Sequence, residues 1–166
     1  MKIRKRLISL LLATAMIFIA MFSGFFSIKS EAASTLRVSA SQIRKLPAAK
    51  KGNNRVTFKK GAGYVKYKAT RSGYIRFKCT DARVGTNPNT VGSVGLIFYR
   101  YKNNRLYPIT FTNGKDQLWL VTNGYRRKYG GTRTWNVDIK MKKGETLVIY
   151  GTFLDKRMCN YNIKIS

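Results

Sequence analysis

The chain of 166 residues contains no histidine, only six aspartates and glutamates, two cysteines and three prolines. Each shortage closes off chemistry. Without histidine there is no imidazole base, no Ser-His or Cys-His dyad and no usual zinc ligand. Five of the acids, Asp81, Asp116, Asp138, Glu145 and Asp155, are scattered through the last two thirds of the chain. A paired-carboxylate site or a calcium cage has little to be built from, and these acids read as isolated partners of abundant lysine and arginine. No Gly-x-Gly-x-x-Gly or Walker loop is present to cradle a phosphate. These absences point to a chain without catalytic machinery, cofactor or metal.

What is abundant is positive charge: 33 lysines and arginines give a formal net charge of +27. Lys2, Arg4, Lys5 and Arg6 precede a nearly uncharged stretch from Leu7 to Ile28, and Ser30-Glu31-Ala32 follows with small residues suited to signal-peptidase cleavage. Residues 1–32 therefore read as a Sec-type signal peptide of a secreted or cell-envelope protein. The stretch is also long enough to span a bilayer, so an uncleaved N-terminal anchor is the alternative. Removing residues 1–32 takes away five Lys/Arg and one Glu, leaving a charge of +23. Such an excess speaks to partners and solubility rather than fold.

Residues 33–54 form a polar entry segment, with a helical turn expected around Ser41–Lys45 before Pro47. From Arg55 onward, turn signals such as Ser72-Gly73, Asn103-Asn104 and Lys143-Gly144 separate short β-rich runs. Val65, Tyr67 and Ala69 alternate with polar neighbours, as do Ile75, Phe77 and Cys79, then Trp135, Val137, Ile139 and Met141, then Cys159, Tyr161, Ile163 and Ile165. Val94–Tyr101 and Leu147–Phe153 are apolar on both registers, as in central strands or strands covered on both sides. The pattern predicts an all-β, antiparallel two-layer sandwich of about eight hairpin-linked strands over residues 55–166, with a closed barrel as the alternative. Cys79 and Cys159 both fall on inward registers. They are either a disulfide, which would close a loop of about 80 residues worth about 4–5 kcal/mol, or two small buried thiols. Trp119 and Trp135 sit among apolar residues and read as core.

The segments GYVKYKATRSGYIRFKCTD (63–81), GLIFYRYKNNRLYPIT (95–110), VDIKMKKGETLVIYGTF (137–153) and NYNIKIS (160–166) carry a resemblance to the bacterial pre-peptidase C-terminal domain and related jelly-roll-like accessory modules of secreted proteins. The resemblance implies a non-catalytic β-sandwich that assists binding, targeting or folding. The basic surface departs from the acidic or neutral surfaces common among such modules.

Two cationic, tyrosine-bearing stretches are candidate ligand sites. The outward register of two strands, taken as neighbours, offers Tyr64, Lys66, Lys68, Tyr74, Arg76 and Lys78, with Lys140, Lys142 and Lys164 extending or mirroring it. The loop 123–133 brackets Arg126, Arg127 and Lys128 between Tyr125 and Tyr129 and ends near Arg133. Such groups neutralise phosphate, carboxylate or sulfate and stack on sugar rings. The expected partners of this monomer are an anionic polysaccharide, a teichoic-acid-like polymer or lipid headgroups, with nucleic acid only as a non-specific ligand. A cationic membrane-active effector is one competing function. A small secreted hydrolase using carboxylate or serine chemistry is another.

Overall fold

The computed structural model describes residues 34–58, 61–112, 114–153 and 158–166. Residues 1–32, read above as a signal peptide or anchor, and Asp155 lie outside the described residues. Ten strands and two short helices follow in order: β1 (Leu36–Arg37), α1 (Ala40–Lys45), β2 (Gly52–Phe58), β3 (Ala62–Lys68), β4 (Gly73–Val84), β5 (Ser93–Lys102), β6 (Arg105–Pro108), β7 (Gln117–Val121), α2 (Asn123–Tyr129), β8 (Thr134–Met141), β9 (Thr146–Thr152) and β10 (Cys159–Ile165). They form two antiparallel sheets. Sheet A has the order β1-β6-β5-β9-β3, with β7 sharing the β6 side of β5; sheet B has the order β2-β10-β4-β8.

The sheets enclose one core in which the inward registers read from the sequence meet. Val65 and Tyr67 of sheet A face Ile75, Phe77 and Cys79 of sheet B, and Val137, Ile139, Met141, Tyr161, Ile163 and Ile165 are all buried. Aromatic rings bridge the layers: Tyr67 meets Phe77 edge-on at 5.6 Å, and Phe77 meets Phe98 at 5.8 Å. Phe58 of β2 lies against Gly63 and Gly151, cross-strand partners on sheet A. A Cβ at either glycine would overlap its ring, so both positions are closed to larger residues.

The fully apolar runs are explained by a second cluster on the far side of sheet A. Tyr99, Leu106 and Val148 are buried there beneath Ile43 of α1, with Leu36, Val38, Leu46, Tyr64, Ile97, Tyr101 and Tyr150 around them. α1 starts at a capping box, in which Ser39 Oγ accepts from the Gln42 amide at 3.2 Å and Gln42 Oε1 accepts from the Ser39 amide at 2.7 Å. The entry segment is thus built into the sandwich: Leu36 pairs with Leu106, and β2 begins at Gly52. Its apolar residues cover the outer face of β5 and β9 instead of preceding the fold.

The cysteines are separate buried thiols. Cys159 pairs with Val84, whereas Cys79 pairs with Ile163, four residues further along β10. At about 3.3 Å per residue that is about 13 Å, well beyond the reach of a disulfide.

Candidate functional site

Alternation along sheet B sends its polar residues to solvent. Asn53 and Arg55 come from β2, Asn162 and Lys164 from β10, Lys78 and Thr80 from β4. Register aligns them into cross-strand rows. Lys164 stands opposite Lys78 on one side and Asn53 on the other, and Lys78 stands opposite Asn136; Asn162 stands between Arg55 and Thr80. Together with Asn54 and Ile163 they line a shallow basin of about 570 Å³ that contains no acidic residue.

Two like charges directly opposite in a sheet repel by a fraction of a kcal/mol, and among the described residues that line the basin the Lys78–Lys164 pair has no acid to relieve it. Asp138, Asp81 and Glu145 are each engaged by an arginine. Asp138 accepts two 2.8 Å hydrogen bonds from Arg76, which hold its carboxyl below the usual range. Asp81 accepts from Arg83 at 2.8 Å and from the Asn162 amide at 3.2 Å, and Glu145 pairs with Arg100. Arg55 spends one Nη–H on Asn160 Oδ1 at 2.9 Å and keeps the rest of its donor fork.

The other half of the stripe read from the sequence is elsewhere. Tyr64, Lys66 and Lys68 belong to β3 in sheet A, while Tyr74, Arg76 and Lys78 belong to β4 in sheet B. Ser72-Gly73 is an arch from one sheet to the other, so the two triplets point away from opposite sides of the sandwich. Tyr64 is half-buried against Tyr150, with ring centroids 4.7 Å apart. Burial, followed by the neighbouring Tyr150 and Tyr99, raises its hydroxyl above the ordinary phenol range. Lys66 Nζ donates to the carbonyls of Ile43 at 2.9 Å and Arg44 at 2.6 Å, closing the end of α1. Lys68 is exposed on that same far side. Arg76, although on the sheet B face, has its guanidinium paired with Asp138.

The stretch 123–133 is a helix rather than a loop over its first seven residues. Its N-cap Thr122 is fully buried; the hydroxyl donates to the Thr90 carbonyl at 2.6 Å and accepts from the amides of Gly92 and Tyr125 at 3.2 Å. Arg126, Arg127 and Lys128 occupy the last turn, where cations complement the helix dipole. The Tyr125 and Tyr129 rings meet tilted, with centroids 5.1 Å apart, Lys128 lies 5.0 Å from the Tyr129 ring, and Arg127 reaches Asn89. Gly130 closes the helix at a positive φ of 78°, and half-buried Arg133 leads into β8. This cluster hangs from the end of β7 and is not part of the basin.

Arg55, Asn53, Asn162 and Thr80 were not evident as site residues in the sequence. The signal for Asn53 and Arg55 was their alternation with Asn54, Val56 and Phe58, and for Asn162 the alternation of the last strand; nothing local says that β2 lies beside that strand. Trp135 packs on the core, as read. Trp119 differs: between buried Leu118 and Leu120 it takes the outer register of β7 and lies over Gly95. Its carbonyl accepts from Trp135 Nε1 at 2.8 Å. No group of three or more metal-ligating side chains occurs among the described residues.

No protein-family model and no curated protein matches the chain. Solved structures do. The chain is similar in fold to the pre-peptidase C-terminal domain of a collagenase from Bacillus anthracis, at 6% identity and a TM-score of 0.39, over 74% of this chain and 95% of that one. It is also similar to a surface-associated copper-binding protein important in copper acquisition by Methylomicrobium album BG8 (8% identity, TM-score 0.39, 78% and 98% of the two chains). A family 35 carbohydrate-binding module from Clostridium thermocellum matches at 11% identity and a TM-score of 0.34, over 79% and 97%. All three are β-sandwiches, and at these identities the likeness is one of fold alone.

Proposed function

We propose that this chain is a secreted, non-catalytic β-sandwich module that binds an anionic envelope or extracellular polymer on the outer face of sheet B. The observation that carries the reading is the Lys78–Lys164 pair, set side by side in a basin with Arg55 and without an acid. A phosphate, carboxylate or sulfate between the two ammonium groups would turn their repulsion into attraction, while Asn53, Asn162 and Thr80 offer hydrogen bonds to neighbouring hydroxyls. The engagement of Asp81, Asp138 and Glu145 by arginines supports a binding role over carboxylate chemistry.

The test is titration of the exported protein with a teichoic-acid-like polyol phosphate, an acidic polysaccharide and a neutral glucan across a salt series. Three cations on the polymer predict that log K falls with log salt at a slope of about −2 to −3. The K78Q/K164Q double variant should bind about tenfold more weakly at about 50 mM salt, yet be as stable as the parent or slightly more so. Equal affinity for the neutral glucan, or unchanged binding by the double variant, would overturn the proposal.

A further inference from the structure

The geometry points to a second site on a different surface: the open edge of β8 and the cleft beside it accept an extended acidic peptide as an added strand. β8 pairs only with β4, over eight residues without a register break, and carries neither proline nor bulge. The direction of its backbone groups follows from its neighbour. Arg76 and Ser166 exchange N–H···O bonds of 3.0 Å, so the backbone of Arg76 faces β10. Asp138, the partner of Arg76 on β8, therefore turns its own N–H and C=O away from β4, toward the open side. Period two gives Asn136 and Lys140 the same direction, and Arg100 meets the outward Lys140 carbonyl at 2.8 Å. Among the described residues, nothing pairs with the backbone of Asn136 or Asp138.

On sheet B the opposite edge is β2, paired with β10; the edges of sheet A are occupied. β3 exchanges backbone bonds with the Pro47–Ala49 run, Val121 on β7 donates to Thr132, and β1 has only two residues. Exposed regular edges are normally blunted; here the Lys140 end is, by Arg100 and by the lysine's own charge, while the outward backbone groups of Asn136 and Asp138 are unpaired among the described residues. Beside it runs a cleft of about 430 Å³ between β8 and the 109–112 segment, with Ile109, Phe111 and Trp135 as its apolar lining. A strand laid along β8 would pair with the outward groups and send alternate side chains into that lining.

Charge selects the occupant. Arg133 precedes the strand, and Lys140, Lys142 and Lys143 end or follow it, while the nearby acids Asp138 and Glu145 are held by Arg76 and Arg100. The peptide is therefore acidic with alternating apolar residues. A second copy would bring the same cations to both ends of the pair and be repelled.

The test uses the exported protein and a fluorescent, end-blocked peptide of alternating glutamate and valine about as long as β8, read by anisotropy. Binding is expected, and N-methylation of every second peptide bond, which leaves charge and composition unchanged, should weaken it about tenfold or more. Asn136→Pro removes only an outward N–H, keeps the ladder to β4, and should weaken binding as much, whereas Asn136→Ala should not. If the proline variant fails to fold, the N-methylated peptide on the parent protein decides. No binding, equal binding of both peptides, or unchanged binding by a folded Asn136→Pro would overturn the proposal. So would a dimer, seen by sedimentation, that Asn136→Pro dissolves. Polymer binding in the basin plays no part in these outcomes.

Discussion

Lys66 and Lys78 look alike in the sequence, each a lysine on the polar register of a β-strand, and the structure gives them opposite employments. Lys66 is spent on two carbonyls of α1, so Lys66→Met should cost about 0.5–1.5 kcal/mol in urea denaturation and leave polymer affinity unchanged. Lys78 has no such partner among the described residues and faces Lys164. Tyr161 is the converse case: its hydroxyl is buried without a hydrogen-bond partner among the described residues. Tyr161→Phe removes only that desolvated group and should be neutral or stabilising by up to about 1 kcal/mol. Burial pushes the thiols of Cys79 and Cys159 from an ordinary 9.0 up to about 12. The folded state thus holds its thiol protons at pH values where the unfolded chain has released them. Their contribution is fully present below about pH 9 and is lost as pH rises from about 9 to about 12, which a pH series of urea midpoints checks. Native protein should resist alkylation at about pH 8 and react once unfolded. That these residues point inward was legible from alternation; which polar ones were already taken was not, because their partners lie far away in sequence.

At the scale of elements, strand existence and facing were readable while strand neighbours were not. Asn103-Asn104 makes a hairpin between β5 and β6, with both residues at positive φ, as the signal implied. Ser72-Gly73 and Lys143-Gly144 carry similar signals, yet each leads from one sheet to the other. Gly-containing turns and a two-residue period are common to hairpins and arches; what separates them is whether the next strand finds its backbone partners in its own sheet or the opposite one. The short helices show the same limit. A helical turn before Pro47 was readable for α1, though not its Ser39 capping box, and the Thr122 cap of α2 depends on Thr90 and Gly92, some thirty residues away. Thr122→Val should cost about 1–3 kcal/mol by urea denaturation and loosen α2 without changing polymer affinity, since that helix belongs to another surface.

For the whole molecule, two sheets close a core against which even one methyl is too much at particular points. Gly151→Ala forces a Cβ into the Phe58 ring and should destabilise by about 1–3 kcal/mol, measured by thermal or urea unfolding. Charge works at this scale too. A net +27 was evident from composition, and so was the scarcity of acids; neither located a site. Composition and periodicity determined the class of fold, the inward residues and the cationic character, because burial and alternation are local properties of each strand. Pairing across the chain decided the rest: it separated Tyr64, Lys66 and Lys68 from Tyr74, Arg76 and Lys78, kept the two thiols apart, and brought Arg55, Lys78 and Lys164 to one basin. The physical reason is that strand order depends on backbone hydrogen bonds between segments distant in sequence, and those bonds are blind to side-chain type.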